Sequence, residues 1–478
     1  MRAVTFKRAL LLAIALLFAL LLTLPLVGCG ATARTDEKEA EIPEEQSAPP
    51  VEEEIFDYRL GSLTLTPETE SVDLDEAGAS IEDLMRFVNR LDKLREISLG
   101  VPDATLAQLR AVEAAFPQAV VSWKAKVLDG EVDCRAESLA LGAASDEDVP
   151  QIISALALLP EVKTLELAPE DGVTGLSFDS LAALAAAVPE AELNCRVELF
   201  AQTADWTTEK LKYKKAAVGD EGIDLFRAAL PYLRSLDLLR LEDCGITDYD
   251  KMDALRADFP EKRIVWSIPI AGYTFMTDTT LINDGDTHIL NDQNVELFRY
   301  LHDVLYLDIG HNHTLTNIEF ARNFPKLQVV ILTLTNIADI SPLENCPDLE
   351  FIECHSCQIG DLSPLADKEK LEYLNIANLP NLRDLSPLYG LRQLKIVRIC
   401  GSTFTHLTMA DVEALEAALP DTFVSHYGGD PNNSGGWRYN NYVSPDDYTE
   451  RYTLLREQMR YDLNWQLRLS NSPSGEED

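Results

Sequence analysis

Cys354 and Cys357 form a C-x-x-C pair, and that spacing suits either a dithiol–disulfide couple or half of a metal site. His311 and His313 flank Asn312 and could also ligate a metal, but the sequence places no third ligand beside them. Asn283-Asp284-Gly285-Asp286 clusters oxygen donors suited to a hard cation. It lacks the distal Glu and the spacing of a calcium loop, so it reads as a turn. No G-x-S-x-G, HExxH or phosphate-loop motif occurs in a convincing context. With 80 acidic residues, paired carboxylates arise by chance and carry no weight. The expectation is a chain with no catalytic residue, metal or cofactor, and not an enzyme.

A further reactive group lies near the start. Arg2, Lys7 and Arg8 precede an apolar run from Ala9 to Val27, which reads as an export signal. Leu26-Val27-Gly28-Cys29 closes it and resembles the lipobox of bacterial lipoproteins. The resemblance implies that residues 1–28 are removed as signal peptide. Cys29 is then lipidated on sulfur, as by palmitate, and becomes the first residue of the mature chain. An uncleaved transmembrane anchor is the competing reading, because the run is about long enough to span a bilayer. Pro25 and the terminal Cys argue against it. Both readings place the body outside the cytoplasm, held to the bacterial cell membrane. Residues 29–54 are rich in Ala, Glu, Pro and Ser and read as an acidic flexible linker.

The 478 residues suffice for several domains or one long solenoid. A hydrophobic content of 46% supports a large core. The net charge of −39 disfavours nucleic acid and anionic membrane surfaces, which need a basic face. Eight cysteines, one assigned to lipid, leave an odd scattered set that is poor evidence for a disulfide framework.

From Val304 the chain repeats with a period of 22 or 23 residues. The copies are Val304-Leu307-Ile309-Asn312, Leu327-Val330-Leu332-Thr335, Leu349-Ile352-Cys354-Cys357, Leu371-Leu374-Ile376-Leu379 and Leu394-Val397-Ile399-Ser402. The pattern resembles the leucine-rich repeat. The turns Ile340-Ser341-Pro342-Leu343, Leu362-Ser363-Pro364-Leu365 and Leu385-Ser386-Pro387-Leu388 look like the short repeats of the internalin type. The resemblance implies an α/β leucine-rich repeat solenoid with a parallel sheet on its concave face. No repeat buries its apolar side alone, so neighbours must stack.

Residues 55–303 repeat more slowly, at about 72 residues, and read as divergent modules of the same solenoid. Phe116-Pro117, Val188-Pro189, Phe259-Pro260 and Leu419-Pro420 each end an apolar helix-like stretch and precede an extended one. Asp146, Asp220 and Asp292 keep the same beat and are expected to cap helix N-termini. Asp129-Gly130 marks a hairpin-like insertion. Each module is read as two strand-plus-helix units, one enlarged. Residues 304–426 hold the regular repeats. Residues 427–478 form a C-terminal helical and aromatic cap with a polar tail: Trp437, Tyr439, Tyr442, Tyr448 and Tyr452, then a helix over 445–469.

In this register two columns point outward from the sheet: Tyr306, Val329, Phe351, Tyr373, Ile396 and Asp308, Ile331, Glu353, Asn375, Arg398. An aromatic and apolar stripe on a sheet face marks a ligand-binding candidate. The alternative is that the C-terminal segment or self-association covers it. Cys354 falls at an inward position, Cys357 and Cys244 at the Asn-ladder position, so buried thiols are expected. The resemblance implies an extracytoplasmic protein-binding module for adhesion, sensing or envelope assembly. Its partner is a protein ligand, with glycan as a second class and nucleic acid excluded. A self-associating structural scaffold of the cell envelope is the alternative function.

Overall fold

A computed structural model describes residues 57–170, 172–284, 287–432, 436–441 and 444–462. The signal segment, Cys29, the acidic linker, Gly285, Asp286, Tyr442 and the chain after residue 462 lie outside the described residues. Residues from Arg59 onward form one unit.

Each return of the chain lays a short strand parallel to the last. Seven such strands form one sheet in sequence order: Leu281–Asn283, Tyr306–Asp308, Val329–Ile331, Phe351–Glu353, Tyr373–Asn375, Ile396–Arg398 and Phe423–Ser425. The register is unshifted, with Leu307, Val330, Ile352, Leu374 and Val397 side by side and fully buried. The 22–23-residue repeat thus becomes a stack of inward apolar residues with no side chain out of phase. This is the leucine-rich repeat α/β solenoid. Short 3₁₀ turns return the chain, and in three of them the carboxylate before the turn, Asp339, Asp361 or Asp384, accepts from the backbone N–H two residues on at 2.8 Å.

The front of the chain holds three shorter parallel sheets. Ser71–Asp73, Glu96–Ser98 and Val120–Ser122 form the first. Ser138–Ala140, Thr164–Glu166 and Glu192–Asn194 form the second. Lys210–Lys214, Leu238–Glu242 and Arg263–Ile270 form the third. A module is therefore two strand-plus-return units and a third strand, which runs into an antiparallel hairpin. The first hairpin pairs Lys124–Val127 with Gly130–Asp133 across a two-residue loop, Leu128-Asp129. One buried apolar cluster extends from Ala125 to Val424, so the slow and fast repeats share a core.

The proline marker behaves as read. Helices end at Ala115, Ala187, Asp258 and Ala418. Phe116, Val188, Phe259 and Leu419 then leave helical geometry, because the following Pro ring disfavours it. The aspartate marker does something else. Asp146 accepts from the backbone N–H of Ser177 at 2.8 Å. Asp220 accepts from Thr247 and Asp248 at 2.8 and 2.9 Å. Asp292 accepts from the Thr316 N–H at 2.9 Å and its hydroxyl at 2.5 Å. None caps its own helix by a side-chain bond; each ties its turn to the next repeat.

Hydrogen bonds to Thr316 and Asn317 outweigh burial and hold the Asp292 carboxyl below the usual range. A lowered folded-state pKa contributes stability above the unfolded pKa and loses it as pH falls through the folded one. Asp292→Ala is expected to cost on the order of 1 kcal/mol at neutral pH, read as a lower urea midpoint. The deficit should shrink below about pH 3.9. An unchanged midpoint would remove the inter-repeat tie from the account.

Candidate binding face

All ten outward residues sit where the register places them, but none is openly exposed. Val329, Ile331, Phe351, Asp308, Glu353, Asn375 and Arg398 are buried. Tyr306, Tyr373 and Ile396 are half-buried against the same cluster. The occupant is the C-terminal segment: Trp437, Tyr452, Leu455 and Met459 pack with Leu281, Val329, Ile331 and Phe351 as a second apolar cluster on the opposite side of the sheet from the core. The expected helix is realised over Glu450–Gln458, capped by the Thr449 hydroxyl. Open exposure of these ten residues is thus corrected, for a physical reason. An apolar column beside buried charge must be covered, and the chain supplies the cover.

Polar groups fix where the cover sits. Glu353 is fully buried and accepts from Trp437 Nε1 at 2.9 Å and Arg438 Nη2 at 3.1 Å. Burial opposes the Arg438 charge, but Glu353 beside it holds the guanidinium pKa above its ordinary value. Tyr461 donates to Asp308 at 2.5 Å. Asn283 donates to the carbonyl of Met459 at 2.6 Å, and Asn375 to that of Pro431 at 3.0 Å. Arg398 reaches Ser425 at 3.1 Å and the Asp430 carbonyl at 2.7 Å. Arg451 lies over the rings of Phe351 and Tyr373, at 4.8 and 5.5 Å. Leu281 and Asn283 extend both columns by one strand. The sequence reading had taken Asn283 for part of a turn, and Asp284 follows it at the strand end.

The cover lies across the face and not over the last edge. Phe423, on the terminal strand, remains 51% exposed. In the front half many outward positions are polar and open to solvent: Ser71, Glu96, Ser138, Glu192, Lys210, Lys212, Lys214 and Arg263 are exposed, whereas Asn194 and Val265 are buried. An open groove of about 850 Å³ lies along Ser71, Asp73, Glu96, Ser98 and Ser122.

The remaining candidates resolve into packing. Cys354 is buried, and desolvation pushes its thiol well above the ordinary value. Cys357 donates to the carbonyl of Leu332 at 3.1 Å, as a ladder residue should, and burial raises its pKa. Cys244 fills the same role against Glu242 at 3.3 Å. Asn312 donates to Ile309 and accepts from the Leu290 N–H. Leu379 cannot serve the ladder, and Thr403 replaces it from the next repeat, accepting from the Leu379 N–H at 3.0 Å. His311 stacks on His288 with ring centroids 5.3 Å apart.

Asp308 offers a test of the covered face. Burial pushes its carboxyl up to about 6, against the Tyr461 hydrogen bond, which pulls it down. A carboxyl with a raised folded-state pKa contributes stability below its unfolded value, lost as pH rises through the folded one. The stability of the wild type relative to Asp308→Asn is therefore expected to fall between about pH 4 and pH 6 and then level off. The measurement is urea unfolding of both proteins across that window. Parallel profiles would place Asp308 in water.

No family model matches the sequence, and no curated protein matches it. Several solved structures are similar to it. Internalin C2 from Listeria monocytogenes is 23% identical over 46% of this chain and 80% of that one, with a TM-score of 0.26. A second internalin from that organism is 15% identical over 73% and 71%, with a TM-score of 0.23. A leucine-rich repeat protein of Leptospira interrogans is 12% identical over 70% and 90%, with a TM-score of 0.23. The fold assignment stands on this chain's own strand register.

Proposed function

We propose that this chain is an extracytoplasmic protein-recognition solenoid, tethered through lipid on Cys29 to the bacterial cell membrane. The observation that carries the reading is the division of the outward sheet face. The last repeats are filled by the chain's own segment, whereas the three front sheets present polar side chains to solvent. A solenoid that covers one part of its ladder and leaves the rest open has a defined surface for a partner. In this reading the ten back-half residues serve as an internal receptor for residues 437–461, and an external protein engages the front sheets.

A second reading, self-association into an envelope scaffold, is favoured by one observation. Among the described residues the edge strand Phe423–Ser425 has no strand beyond it, and Phe423 and Tyr427 beside it are 51% and 65% exposed. Size in solution that rises with concentration would select that reading.

The test uses the full chain in a bacterial host with a photo-crosslinking residue at one site at a time. Sites at Glu166 and Lys212 on the front sheets are expected to yield a discrete crosslinked partner. Sites at Glu344 and Glu413 on the return side are expected to yield none. Crosslinks only from the return side would overturn the assignment of the face. In the same cells Cys29→Ser is expected to lose incorporated palmitate and membrane retention. Retention without lipid would select the transmembrane-anchor alternative.

A further inference from the structure

Away from the sheet face, the first front module holds a groove of about 520 Å³ between two helices. Leu74, Leu99 and Val112, all buried, form its floor. Ile81 and Met85, half-buried on the helix Ile81–Met85, line one side. Val101, which is 42% exposed, and Ala111, exposed on the helix Leu106–Ala115, line the other. Asp75, Glu82 and Asp103 add three exposed carboxylates, and no Lys or Arg lines the groove. The Asp75 charge is felt by Lys124. Glu82 and Asp103 make no ion pair among the described residues.

We infer that this groove is a docking site for an amphipathic helix of a protein partner, with Lys or Arg beside its apolar stripe. Three facts select that occupant. The floor is apolar and continuous with exposed apolar side chains, so the occupant must bring an apolar face. No strand lines the groove, and the two backbone N–H groups where its helices begin are taken: Ser80 donates to Asp83 at 3.1 Å and Thr105 to Gln108 at 2.9 Å. An extended peptide would lay its main-chain groups on apolar side chains without partners, which is costly. A helix pairs its own and presents side chains at i, i+3, i+4 and i+7 to the groove. The third fact is charge. Three carboxylates and no base call for a cationic flank. The same carboxylates repel the acidic segment 29–54 and a second copy of a chain of charge −39, so neither suits the groove.

The groove lies apart from the outward sheet face, so its test and the crosslinking test succeed or fail separately. Fluorescence anisotropy is measured on the full chain at about 150 mM salt, where a screening length of about 8 Å damps attraction to remote acids. Three labelled peptides are compared. One holds leucines at i, i+3, i+4 and i+7 with lysines between them. The second replaces each lysine by glutamate. The third scrambles the first, so that charge is kept and the apolar face is lost. The first is expected to bind about tenfold or more tightly than either of the others, because both the apolar face and the charge are read. Ala111→Trp fills the groove and is expected to weaken that binding by about tenfold. Glu82→Lys with Asp103→Lys, both at exposed positions, is expected to weaken it by about fivefold and to strengthen the glutamate peptide. Glu344→Lys with Glu413→Lys makes the same charge change elsewhere and is expected to leave both unchanged. Thermal unfolding of every variant checks that it folds. Equal affinity for the first and scrambled peptides, or equal loss from the two charge swaps, would overturn the site. Unchanged binding to a folded Ala111→Trp variant would do the same. A size that rises with concentration and is lost in Ala111→Trp would place a second copy in the groove and overturn the partner.

Discussion

A carboxylate taken out of water must be met by donors, and the placement of the C-terminal segment follows from that constraint. Glu353 lies in an outward column of the sheet, yet it has no solvent exposure. Left alone it would be a buried polar group without a partner, which is costly. Trp437 and Arg438 meet it with two hydrogen bonds and a full positive charge. Once they are seated, Trp437 stacks near Phe351 and the following helix lies across the remaining columns. The same logic recurs at lower stakes at Asp308, Asn283, Asn375 and Arg398, each of which bonds the segment. Apolar burial supplies most of the attraction, and these polar bonds choose one register for it.

That seating divides the molecule functionally. The inward side of the sheets is one core from the second front sheet to the last strand, built on apolar residues that coincide in register. The outward side is two surfaces. Over the regular repeats it is a second core, closed by the chain itself. Over the slow repeats many outward residues are polar and exposed, with acids such as Glu96 and Glu192 on the first two sheets and Lys210, Lys212 and Lys214 on the third.

The inward ladder was legible because period and residue type agree: a Leu, Ile or Val every 22 or 23 residues admits one stacking. The outward columns were legible for the same reason, since side chains alternate along a strand. Their cover was harder to read. Nothing in the spacing of Trp437, Arg438 and Tyr461 names the strands they meet, although a Glu in an apolar column signalled that donors must come from somewhere. The aspartates at 146, 220 and 292 carried the right beat but the wrong partner, because a short carboxylate beside a turn can bond backward, forward or across. One recurring feature was invisible. His311, Leu334, Ser356, Asn378 and Gly401 all hold positive φ at the same point of successive repeats. Leu334 and Ser356 are not types that favour it, so in those repeats the turn is imposed by stacking and not by local preference.

The central claim is that the back-half face is closed by residues 437–461 as part of the native fold. Hydrogen exchange followed by mass spectrometry measures it directly on the intact chain. The account predicts that amides of the helix Glu450–Gln458 exchange through the same opening as the strands Val329–Ile331 and Phe351–Glu353 that it covers, with similar protection. Exchange of that helix at the rate of an isolated peptide, with the strands still protected, would contradict it and return the ten outward residues to solvent.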